Sequence, residues 1–143
     1  MMRVDGVVVS FVDANVVIPY LSGHDAALMS RARSIIETDA PRVIPVAVLL
    51  ETAWVLRRAY GYRGRDIATA VRDLLSRENI LIAELPKDTV VTMVEHWRTG
   101  RIGSAGDAMI AASMATHGGE RIYSFDRRFP RDIGWEVLAG PID

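Results

Sequence analysis

The chain has 143 residues, a net charge of −1, 50% hydrophobic residues and no cysteine. That length fits one domain with a sizeable core, and the apolar content argues against disorder. The missing cysteines exclude a disulfide framework and thiolate metal sites, and the near-neutral charge gives no global field for nucleic acid.

The elements follow in chain order. Val7-Val8-Val9-Ser10-Phe11-Val12 is a β-branched, apolar run that stops at Asp13. It predicts a strand buried on both faces, as in the middle of a parallel sheet. Asn15 is positioned to cap a short helix over Val16–Leu21, limited by Pro19. A turn at Ser22-Gly23-His24-Asp25 leads into a helix to about Thr38. Arg42–Pro45 reads as a brief strand. The next helix, from about Val46 to Tyr60, is apolar on nearly every face of its first half, which predicts burial. Glu51 sits in the middle of it, and Trp54 is expected in the core. After a loop at Gly61–Gly64 comes a more polar helix over Arg65–Arg77.

Ile80–Ala83 reads as a strand and Pro86–Arg98 as a helix opened by its proline. Thr99–Gly106 carries three glycines and predicts the most flexible loop of the chain. Asp107–His117 is an apolar helix closed by Gly118-Gly119. Arg121–Phe125 reads as a strand ending at Asp126, Arg127–Asp132 as a turn, and Trp135–Leu138 as a last strand. Strands alternating with helices predict an α/β fold, a single domain over residues 1–143, with right-handed crossovers and a mainly parallel central sheet of four to five strands. No run approaches the ~20 apolar residues of a membrane span. The N-terminal apolar stretch is too short for a secretory signal. The expected location is the cytoplasm.

Four acids stand out. Asp13 ends a buried strand, where a carboxylate is costly unless compensated. Glu51 has Ala47, Val48, Trp54 and Val55 as helical neighbours, so it is expected on an apolar face, as a metal ligand, catalytic group or ion-pair partner. Asp107 also fits a helix-start pattern, Ser104-Ala105-Gly106-Asp107, that suits the helix dipole. Asp126 also fits a turn-initiating role. Two acids at strand ends, one at a helix start and one on a buried helix can meet at one sheet edge, beyond the carboxyl ends of the strands. Four clustered carboxylates cannot all ionise without cations, and oxygen-only ligation selects Mg²⁺ or Mn²⁺. His24, His96 and His117 show no metal spacing. Sixteen of the 17 basic residues are arginine, a residue suited to phosphate forks, although codon bias explains the excess as well.

Four short stretches together resemble PIN-domain proteins of the VapC toxin type. They are Phe11-Val12-Asp13-Ala14-Asn15, Leu50-Glu51-Thr52-Ala53-Trp54-Val55-Leu56, Gly106-Asp107-Ala108-Met109-Ile110-Ala111-Ala112 and Tyr123-Ser124-Phe125-Asp126-Arg127-Arg128-Phe129. Each is weak alone; their order and spacing cover essentially the whole chain. The resemblance implies a three-layer α/β/α PIN-like fold. It implies a Mg²⁺- or Mn²⁺-dependent endoribonuclease cutting single-stranded or loop RNA, dimeric, and held inactive by a small antitoxin protein. Asp13, Glu51, Asp107 and Asp126 then correspond to the acidic metal site, and Asn15 and Ser124 to supporting polar residues. Arg101, Arg127 and Arg128 are candidates for RNA contact, with solvated surface as the plainer reading. The competing functions are a housekeeping RNA-processing nuclease and a non-catalytic metal- or partner-binding domain. A phosphatase with an Asp nucleophile would want a second Asp where the chain has Asn15.

Overall fold

The computed structural model describes residues 3–4, 7–83, 85–126 and 135–140. Seven strands and six helices are found among them. β1 (Arg3–Val4) and β2 (Val7–Val8) form a small antiparallel pair. β3 (Ser10–Val12), β4 (Arg42–Pro45), β5 (Ile80–Ala83), β6 (Arg121–Tyr123) and β7 (Glu136–Leu138) form a five-stranded sheet in the order β5-β4-β3-β6-β7. All four pairings in it are parallel. The apolar run expected as one strand over residues 7–12 is therefore interrupted at Val9. Its first part turns back on Arg3–Val4, and only Ser10–Val12 enters the sheet.

Every residue of β3 and β4 is buried, so helices cover both faces of the sheet there, and the runs lack polar alternation for that reason. The helices are α1 (Ala14–Ser22), α2 (Ala26–Ile36), α3 (Val46–Arg58), α4 (Gly64–Leu75), α5 (Lys87–Arg98) and α6 (Ala105–Thr116). The main core joins Phe11 and Val12 of β3 to Val16 and Val17 of α1, Ile35 of α2, Val48 of α3 and Ile110 and Met114 of α6. A smaller cluster joins Met93 of α5 to Ile102 and to Ala108, Ala111 and Ala112 of α6. The alanines let these two helices approach closely. Gly118, in the left-handed region at φ 61°, ends α6 as the sequence suggests.

Several expectations change. Asp13, not Asn15, caps α1: its carboxylate accepts the Ala14 N–H at 2.7 Å. Pro19 lies inside that helix without stopping it, and the helix ends at Gly23 in the left-handed conformation. The helix expected to be buried all round, α3, buries only the stripe Val48, Thr52 and Leu56 and leaves Leu50 69% and Trp54 63% exposed. Its apolar content thus overstates its burial, and Trp54 is a surface residue lying near the Arg58 guanidinium, 5.8 Å from the ring centre. The glycine-rich loop before α6 is anchored: Ile102 is buried in the smaller cluster, and the N–H groups of Arg101 and Ile102 donate to the His96 carbonyl at 2.9 and 3.1 Å. The turn expected over Arg127–Asp132 lies outside the described residues. Among the described residues no helix is long and apolar enough to cross a membrane.

Candidate metal centre

The sheet order reverses between β3 and β6. From β3 the chain moves outward through β4 and β5, then returns to place β6 on the other side. Crevices at such switch points, beyond the strands' carboxyl ends, are where α/β sheets bind ligands. Asp13 follows β3 and Ser124 follows β6. The parallel register, Val12 beside Tyr123, brings them level. The Asp13 N–H donates to the Tyr123 carbonyl at 3.0 Å, extending the ladder one step past the strand.

A polar network closes this junction. The Ser124 hydroxyl donates to Asp13 Oδ2 at 2.8 Å. It accepts from Asn15 Nδ2 at 3.0 Å and from the Asp126 N–H at 3.1 Å. Asn15 Oδ1 accepts the Phe125 N–H at 2.7 Å. Asn15 is thus not a cap but a clasp between α1 and the segment after β6, and Ser124 fixes the Asp13 carboxylate while steering the backbone toward Asp126.

Asp13 is only 4% exposed. Burial pushes its carboxyl up from 3.8 to about 7, against the pull of the Ser124 and Ala14 hydrogen bonds; the charges of Asp107 and Glu51 push it further up. Glu51 is also raised, first by desolvation of its carboxyl and then by the charges of Asp107 and Asp126. As a whole residue it lies on an exposed face of α3, not the apolar buried face the sequence suggests. The surrounding positions Leu50 and Trp54 are apolar yet open to solvent, which is why helical spacing misplaced it. Its Oε2 is 3.4 Å from where a Cβ on Gly106 would stand, so it reaches the first turn of α6. Asp107 occupies that turn. Its N–H donates to the capping Ser104 hydroxyl at 3.1 Å, as the sequence pattern indicates. The four acids therefore belong to four separate elements, and each of Asp13 and Glu51 feels two of the others.

A PIN domain family model matches residues 10–132. The chain belongs to the PIN domain family. Its fold is shared with solved structures of that type. VapC20 of Mycobacterium tuberculosis, a toxin that cleaves the sarcin–ricin loop, is 26% identical with a TM-score of 0.67, over 85% of this chain and 92% of that one. The DNA-bound VapBC of Salmonella typhimurium is 19% identical with a TM-score of 0.63, over 92% and 97% of the two chains. FitAcB of Neisseria gonorrhoeae is 16% identical with a TM-score of 0.59, over 91% and 96%. No curated protein matches the chain.

The donor set of this PIN domain fits a hard divalent cation. It is oxygen throughout; burial is the main cause of the raised Asp13 and Glu51 carboxyls, and the smaller push from neighbouring carboxylates is one that a bound cation would relieve. Among the described residues, no group of three or more His, Asp or Glu side chains stands ready-made to hold a metal ion. The arrangement is a set of neighbouring carboxylates, not a closed cage.

Arg101 is exposed in the loop before α6. Arg127 and Arg128 lie outside the described residues. Four buried polar residues, Ser10, Arg42, Thr52 and Ser113, were not singled out from the sequence. Arg42 is enclosed between the Ile35 carbonyl, which accepts from its Nε at 2.8 Å, and the Tyr123 ring. It links β4 to α2 through Ile35 and to Tyr123 of β6, and at 1% exposure it offers no charge to a substrate. Thr52, next to Glu51, is buried with no hydrogen-bond partner for its hydroxyl among the described residues. Its spacing with Val48 and Leu56 was the available signal that the buried stripe of α3 passes beside Glu51.

Proposed function

We propose that this PIN domain is a Mg²⁺- or Mn²⁺-dependent endoribonuclease that cuts single-stranded or loop RNA, the toxin of a type II toxin–antitoxin pair acting in the cytoplasm. The observation that carries the reading is the position of Asp13. It is buried at the switch point of the sheet, fixed by Ser124, and within the electrostatic reach of Asp107 and Glu51.

Asp13 and Asp107 would hold the principal cation, Glu51 would be a direct or water-mediated ligand or polarise the attacking water, and Asp126 would bind a second, weaker cation or a water on the first. A divalent ion held there would supply a coordinated water of lowered pKa, whose hydroxide form is the nucleophile that phosphodiester hydrolysis needs. Arg101, Arg127 and Arg128 hold the RNA backbone, which fits a chain whose overall charge gives little steering of its own. The resemblance to VapBC complexes supports a small antitoxin protein as partner. The exposed apolar stripe of α3, Val46, Leu50 and Trp54, supports a homodimer.

A second reading is a non-catalytic metal- or partner-binding domain; the lack of a ready-made three-ligand group among the described residues favours its partner-binding form over a structural metal site. One experiment separates the two. Purified protein is incubated with single-stranded RNA and Mg²⁺ or Mn²⁺. Cleavage that stops with EDTA and with Asp13→Asn, while that variant still melts cooperatively, supports the nuclease. Full cleavage in EDTA, or none by the folded wild type with either metal, rejects it.

A further inference from the structure

Asn15 belongs to more than the network around Ser124. Together with Ile18 and Pro19 it presents one face of α1, at the three- and four-residue spacing of helical neighbours, to a cavity of about 180 Å³. Ser22, Asp25, Leu28 of α2 and Tyr60 complete the walls. The cavity is smaller than the 300–1,000 Å³ typical of small-molecule sites, so its size suits a single ring system.

We infer that this cavity seats one base of a single-stranded RNA whose backbone passes the acidic site, with the base stacked on Tyr60. The inference rests on the ribonuclease reading above. Three features support it. The first is continuity: the residue that clasps α1 to the end of β6 is also a wall of the cavity, so a strand lying over Asp13 has this recess beside it.

The second is the construction of the Tyr60 ring. Tyr60 is 40% exposed, yet its ring stacks on His24 with centroids 4.4 Å apart and planes 10° apart. His24 is held in turn, with Nε2 3.0 Å from the Tyr62 hydroxyl, which also lies 3.1 Å from the Ser22 carbonyl and donates to it. An exposed aromatic ring already fixed by its neighbours loses little freedom on binding, and a flat ring is the platform that unpaired bases use.

The third is the chemistry of the rim. Ile18, Pro19 and Leu28 are apolar, and the charged residue of the lining, Asp25, is acidic. A carboxylate repels phosphate but accepts from the exocyclic amino group of adenine or cytosine. Asp25 Oδ1 is engaged by the Leu28 N–H at 3.0 Å, a bond that fixes the side chain without using Oδ2. The recess therefore favours amino-bearing bases over uracil.

The test uses the full chain carrying Asp13→Asn, which keeps the RNA intact, and a ten-nucleotide oligo(A) with a central 2-aminopurine as probe. Binding is expected to quench the fluorophore. Adding Tyr60→Ala is expected to weaken binding about tenfold or more and to abolish the quench, whereas Tyr60→Phe retains both. Adding Asp25→Asn, which still caps α2, is expected to narrow the preference for oligo(A) over oligo(U). If Tyr60→Ala binds and quenches as Tyr60→Phe does, the base sits elsewhere; the inference falls and the ribonuclease reading stands. A Tyr60→Ala variant that binds RNA normally but loses affinity for a protein partner overturns it equally. If no variant binds RNA although each melts cooperatively, both fall together.

Discussion

The Ser124 hydroxyl donates to Asp13 Oδ2 at 2.8 Å, joining residues 111 apart in sequence. This contact ties the β3–α1 junction to the end of β6 and opposes the desolvation of the Asp13 carboxyl. Ser124→Ala is expected to raise the Asp13 pKa further above about 7. It also removes the acceptor used by Asn15 and by the Asp126 N–H. A stability loss of about 1 kcal/mol follows from losing these half-buried hydrogen bonds. Carboxyl-detected titration by nuclear magnetic resonance and urea unfolding check the two effects. An unchanged Asp13 pKa in the variant contradicts the assigned role.

The Asp13 pKa also fixes how stability depends on pH. The folded state holds the proton more tightly than the unfolded chain, since the carboxyl is raised from 3.8 to about 7. Its favourable contribution is fully present below pH 3.8 and is lost as pH rises through about 7. Integrated over that window, the loss is on the order of 4 kcal/mol as an upper bound. In metal-free protein, Asp13→Asn, which mimics the neutral acid, is expected to be more stable than the wild type at pH 8.5, with a gap that narrows toward pH 5 and closes only below pH 3.8. Added Mg²⁺ or Mn²⁺ is expected to raise the melting temperature of the wild type at pH 8.5 and not that of the variant. A wild type that grows more stable between pH 5 and 8.5 without metal, alongside an unstable variant, contradicts this.

Gly119 approaches the sheet where a side chain does not fit. A Cβ there would stand 2.7 Å from Cε1 of Phe11, which is fully buried on β3, and 3.3 Å from the Met114 Cα. Gly119→Ala is expected to cost about 1–3 kcal/mol through displacement of Phe11. Since Phe11 lies two residues before Asp13, RNA cleavage is expected to fall as well. Thermal melting and a cleavage assay test both; wild-type values for each contradict the close approach.

The apolar stripe of α3 gives a prediction about assembly. Leu50 and Trp54, 69% and 63% exposed, lie one helical turn apart on its surface. Leu50→Lys is expected to shift the protein toward monomer in analytical ultracentrifugation without lowering its melting temperature as a monomer. An unchanged sedimentation coefficient contradicts a dimer through this face.

Much of this was legible in the sequence. Strands β4 and β5 have the expected bounds, because Pro45 and the apolar Ile80–Ala83 run are strong local signals. The parallel five-stranded sheet follows from alternation of strands and helices. Composition failed at α3, where apolar residues serve the surface as well as the core, so Glu51 and Trp54 were placed too deep. Capping preference alone could not separate Asp13 from Asn15. The outcome depends on Ser124 and Phe125, which arrive more than 100 residues later and draw the Asn15 amide away from the helix start. The break at Val9 was hidden because no glycine, proline or charged residue marks it within the run Val7–Val12.

The central claim is that Asp13, Glu51, Asp107 and Asp126 serve one divalent cation. Anomalous scattering from a crystal grown with Mn²⁺ addresses it most directly. The expected result is a Mn²⁺ peak in coordination contact with Asp13 and Asp107, with Glu51 and Asp126 bound to it directly or through water. A map with no peak there at saturating Mn²⁺, or with Mn²⁺ held at another face of the protein alone, contradicts it.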